Sequence, residues 1–145
     1  MKKLICVIVF FWCGVCLAGP PGTPTKYYKK RYEFTTDATL SSSQSMGKVI
    51  TNQGASGEVD IMLADISETA MCLFILEEAQ NIEINPPTGE LLDLDGTNLD
   101  ANDCIDSDST VGSMIMLTRQ KIADGTWQWF ANTIRGVWTD TGASD

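Results

Sequence analysis

From Tyr32 onward the chain is a succession of short apolar or alternating runs, none longer than about two turns of helix, each closed by residues that break regular structure. Tyr32, Phe34 and Thr36 alternate with Glu33, Thr35 and Asp37. Further runs cover Val49 to Thr51, Val59 to Leu63, Met71 to Leu76, Asn81 to Asn85, Glu90 to Leu94, Ser113 to Arg119, Thr126 to Ala131 and Ile134 to Thr139. Between them stand Asn85-Pro86-Pro87-Thr88-Gly89, Asp95-Gly96, Asp124-Gly125 and Arg135-Gly136, the residue types that turns select. Short strands with this punctuation predict an all-β fold, an antiparallel β-sandwich of jelly-roll type. The most regular stretch, Gly47 to Leu63, reads as a hairpin reversing at Asn52 to Gly57. Asp65 to Ala79 also carries helix formers behind a capping-box pattern. The aromatic and β-branched residues of Met71 to Leu76, flanked by strands, favour a strand there.

Residues 1–18 have a basic start (Lys2, Lys3), an apolar core from Leu4 to Leu17, and small residues around Ala18. This is the pattern of a secretory signal peptide, with an apolar core shorter than the roughly 20 residues of a membrane span. It predicts an exported protein, found outside the cell, on its surface or in a virion, with no stable membrane span. Residues 19–39 read as a Pro/Gly linker and an extended basic arm, with Lys26, Lys29, Lys30 and Arg31 interleaved by Tyr27 and Tyr28. The sandwich is assigned to 40–139 and a C-terminal tail to 140–145.

The net charge of −9, more negative once Lys2 and Lys3 leave, excludes nucleic acid as a partner of the domain. With the signal go Cys6, Cys13 and Cys16. The remaining pair, Cys72 and Cys104, is a candidate structural disulfide in an exported chain, the alternative being two separate buried thiols.

Histidine is absent, which removes the commonest general base and the usual nucleophilic triads. No phosphate-cradling loop or nucleophile elbow occurs, and we expect no enzyme and no organic cofactor. Calcium has one candidate set, Asp93, Asp95, Asp100 and Asp106, in a stretch dense with oxygen ligands. It lacks the glycine position and terminal Glu of an EF-hand, and the same residues also make an ordinary solvated acidic loop. Trp127, Trp129 and Trp138 are candidates for a subunit interface or for stacking on a cell-surface glycan, although packing in the core is the commoner use of such residues.

Three segments in order, "GKVITNQGASGEVDIML", "FILEEAQNIEINPPTGELL" and "GSMIMLTRQKIADGTWQWFANTIRGVWTD", resemble a small β-domain that recurs in bacteriophage virion proteins of the tail-fibre and capsid-decorating types. The resemblance covers about Leu40 to Thr139. It departs at Ala64 and Thr69, where that family commonly has Pro and Gly, and in the export signal. The resemblance implies a non-enzymatic structural module that assembles with other subunits, a homotrimer being favoured, through the aromatic final strands. The export signal also fits a secreted bacterial surface, adhesion or fibre subunit. A carbohydrate- or calcium-dependent binding domain is the alternative from another class.

Overall fold

The structure is a computed structural model that describes residues 30–143. The expected signal peptide and the part of the expected arm before Lys30 lie outside the described residues. Twelve strands and no helix occur among the described residues: β1 (Lys30–Glu33), β2 (Ala38–Thr39), β3 (Met46–Thr51), β4 (Val59–Met62), β5 (Ala70–Ile75), β6 (Ile82–Asn85), β7 (Leu92–Leu94), β8 (Thr97–Asn98), β9 (Asp103–Ser107), β10 (Met114–Lys121), β11 (Trp127–Arg135) and β12 (Trp138–Ala143). They form two packed sheets, a β-sandwich, with strand orders β1-β3-β5-β10-β11-β7-β8 and β12-β9-β6-β4-β2.

The pairing is mixed rather than antiparallel. Along the first half the chain crosses between the sheets at every step, so β1, β3 and β5 stack in parallel in one sheet and β2, β4 and β6 in the other. Parallel neighbours need a long crossover, and here the strand of the opposite sheet supplies it. The result is a stack of two-stranded layers. Tyr32, Ile50 and Phe74 line up in one sheet, and Ala38, Ile61 and Ile84 in the other. The second half closes the stack with antiparallel strands, β10 against β5 and β9 against β6. β11 and β12 continue the two sheets, and β7 then runs parallel to β11.

The expected hairpin at Gly47 to Leu63 is therefore an arch that joins the two sheets. The apolar residues decide this. Ile50 on β3 and Val59 and Ile61 on β4 are all essentially buried, and both strands bury their faces by looking at each other across the core. Asn52 fixes the arch. It is fully buried, and its Oδ1 accepts from the amides of Glu77 (2.8 Å) and Glu78 (3.1 Å). Its Nδ2 donates to the carbonyls of Gln80 (2.8 Å) and Glu78 (3.3 Å). One side chain thus satisfies four backbone groups of the arch between β5 and β6 that lies against it, groups that would otherwise be costly to bury. Gly54, at a φ of 82°, makes the turn that brings this amide inward.

Met71 to Ile75 of the run expected as strand lies in β5, as the aromatic and β-branched content predicts, with Ala70, Cys72 and Phe74 facing the core. The sheets also reach past 40–139. β1 and β2 begin them, and β12 runs on to Ala143.

Candidate functional site

One end of the sandwich carries a cleft of about 490 Å³ walled by three connections. Asp65 and Ser67 come from the segment between β4 and β5, Gly89, Glu90 and Leu91 from the segment before β7, and Ile122, Asp124 and Thr126 from the β10–β11 turn. Arg119 lies at the base. On β10 the alternation Ile115, Leu117, Arg119 directs a cation into the core face, where its side chain is 2% exposed. Burying a guanidinium demands partners, and it has them. Nε donates to the Ile66 carbonyl (2.6 Å), Nη1 and Nη2 hold both oxygens of Glu90 (2.5 and 2.8 Å), and Nη2 reaches Asp65 (3.3 Å). The guanidinium also lies 5.6 Å from the Trp129 ring centroid. Arg119 therefore ties the β4–β5 segment and the segment before β7 to strand β10.

This fixes the chemistry of the cleft. Four hydrogen bonds to protein acceptors and a side chain only 2% exposed leave little of this cation to face a ligand. Asp65, by contrast, is 78% exposed and held in place by the guanidinium. Asp124 accepts from the amide and hydroxyl of Thr126 (2.8 and 2.6 Å), which holds its carboxyl below the usual carboxylate range. Trp127, half-buried, and Leu91, 39% exposed, supply the apolar wall.

The three tryptophans thus part company. Trp129 is fully buried beside Arg119. Trp138 is 5% exposed, with its indole N–H donating to the Arg135 carbonyl (3.3 Å). Both belong to the core, so neither serves a subunit or glycan surface. Trp127 alone of the three borders the cleft.

The four candidate calcium ligands are dispersed. Asp93 accepts from the Gly96 amide and Asp95 from the Thr133 amide, both around the β7–β8 turn. Asp100 lies beyond β8, and Asp106 sits on β9 in the other sheet. The stretch read as an acidic loop contains a strand because Cys104, Ile105 and Ser107 are buried.

On the outer face of that five-stranded sheet, Asp60, Glu83 and Asp106 stand opposite one another on adjacent strands. Carboxylate oxygens of Glu58, Asp60 and Glu83 lie within 4.8 Å of one another, a spacing that one oxygen-liganded cation could bridge. Burial, then the nearby charge of Glu58, Glu83 and Asp60, pushes the Asp106 carboxyl up to about 6. Asp60 is raised too, by burial and by Glu83, Asp37 and Glu58. Asn81 donates to Asp106 Oδ2 (3.1 Å), whereas Oδ1 is buried without a hydrogen bond to the protein.

No disulfide joins Cys72 and Cys104. They occupy strands of opposite sheets, β5 and β9. Facing sheets stand about 10 Å apart, beyond the roughly 4.4–6.8 Å between Cα atoms that a disulfide spans. Burial pushes the Cys72 thiol up to about 12, and Cys104 Sγ donates to Asn85 Oδ1 (2.8 Å).

Compared with known proteins, the chain matches no family model and no curated protein.

Proposed function

We propose that this chain is an exported, non-enzymatic structural module of the phage tail-fibre or decoration type, working as a homo-oligomer with three copies favoured. The observation that carries this reading is the contrast between the two outer faces of the sandwich. The outer face of the five-stranded sheet carries Asp60, Glu83 and Asp106 and suits water. The outer face of the seven-stranded sheet is apolar at its centre. Register places Val49, Leu73 and Met116 in one row across β3, β5 and β10. Ile75 and Met114 lie side by side in the next row, and Met71, Thr118 and Phe130 form another. Charge gathers at the rim, where Arg31 pairs with Glu33 and Glu77. An apolar centre with a charged rim is the anatomy of a subunit interface.

Three copies with these faces turned inward would enclose the apolar rows around an axis and leave the acidic faces outside. Closed cyclic symmetry of this kind is the common solution for identical chains. A Leu73→Lys substitution places a charge in the middle of the patch and leaves the inner face of β5 untouched. Light scattering on the exported protein is expected to give about three chain masses for the wild type and one for the variant. A wild-type monomer at high concentration contradicts the proposal.

A further inference from the structure

The cleft at the end of the sandwich has a composition that selects its ligand. Its permanent charges are the carboxylates of Asp65, Glu90 and Asp124 and the guanidinium of Arg119, which is 2% exposed and bonded to Ile66, Glu90 and Asp65 from beneath. What faces outward is therefore an excess of acceptors. An anionic ligand would meet like charge, and an apolar one would strip water from the carboxylates without replacing its hydrogen bonds. The matching ligand donates many hydrogen bonds, carries no negative charge, and has a flat apolar face for Trp127 and Leu91. A neutral hexopyranose meets all three demands, since its hydroxyls donate to carboxylates and its axial C–H face covers an indole. The cleft, at about 490 Å³, has room for more than one sugar ring.

The geometry points to a binding site for a neutral hexose oligosaccharide, with Trp127 as the stacking platform and Asp65 and Asp124 as acceptors for its hydroxyls. Arg119 is a positioning residue, orienting Asp65 and Glu90 from beneath. The site lies on loops at one end of the sandwich, so it goes beyond the assembly reading and stands whether or not the chain oligomerises.

The test uses the exported chain with maltohexaose, cellohexaose and mannohexaose as probes, and a hexalysine peptide as the cationic competitor for the same acidic cleft. Trp127 is the one partly exposed indole among the described residues, so binding is expected to change tryptophan fluorescence and to protect it from iodide quenching. At least one oligosaccharide is expected to bind. Measured by titration calorimetry, which does not depend on the indole, Trp127→Ala should weaken that binding roughly tenfold or more, and Asp65→Asn roughly tenfold. Trp127→Phe should retain part of it, with circular dichroism unchanged in all three variants. No binding of any oligosaccharide at about 10 mM, or equal binding by Trp127→Ala, overturns the proposal. So does hexalysine binding in the absence of sugar binding, which would make this a cation site.

Discussion

Replacing Asp106 by Asn should stabilise the protein at neutral pH. Asp106 stands between Glu83 and the edge strand β12, with Glu58 and Asp60 nearby, and its Oδ1 is buried without a donor. Its carboxyl titrates at about 6 in the folded protein, against an ordinary 3.8. Between those values the folded chain holds a proton that the unfolded chain has lost. This group therefore makes stability fall as pH rises from about 4 to 6, and the penalty is complete at pH 7. A shift of about two units corresponds to roughly 3 kcal/mol, and partial exposure of the side chain reduces this to about 1–2 kcal/mol. Asn keeps an oxygen for the Asn81 amide and turns an N–H toward the surrounding carboxylates. The assay is thermal or urea unfolding of wild type and Asp106→Asn from pH 4 to pH 8. The variant is expected to melt about 3–8 °C higher at pH 7 and nearly level with wild type at pH 4. Comparing the two proteins cancels the titration of other carboxylates such as Asp108 and Asp124. A constant difference across the range, or a variant less stable at pH 7, refutes the electrostatic reasoning.

Asn52→Ala strands four partly buried backbone groups of the β5–β6 arch and should cost about 2–3 kcal/mol, seen as a melting temperature lower by about 10 °C; an exposed neighbour such as Gln53→Ala should change little. Thiol titration of residues 19–145, purified without reductant, should be nearly silent in buffer and register both Cys72 and Cys104 in denaturant, because both are buried and burial pushes the Cys72 thiol up to about 12. A titre of zero in denaturant would mean a disulfide and a different packing of β5 against β9.

The fold class was legible because each strand carries its own local evidence, an alternating run closed by turn residues. Pairing was not. A two-residue period says which side chains share a face, but not whether the next strand lies beside this one or across the core. Gly47 to Leu63 has every local mark of a hairpin and forms an arch, because Ile50 and Ile61 bury each other's faces across two layers. Asn52 misled for a related reason. In a turn such a residue reads as bonding its own backbone, whereas here its partners lie 25 to 28 positions further on. Trp127 was singled out for its chemistry, but Trp129 shares its alternation and is core, so only burial separates them. Arg119 left one usable sign, a cation at the core-facing position after Ile115 and Leu117. Its partner Glu90 lies 29 residues away and nothing local announces it. The acidic column of Asp60, Glu83 and Asp106 was invisible for the same reason, since three separate strands supply it.

The assembly reading rests on the apolar outer face of the seven-stranded sheet, and light scattering with size separation tests it most directly. The wild-type chain without residues 1–18 is expected to run at about three chain masses across a wide concentration range. Leu73→Lys is expected to run as one folded chain with an unchanged circular dichroism spectrum. A wild-type protein that stays monomeric, or a Leu73→Lys protein that keeps the wild-type mass, would contradict the account.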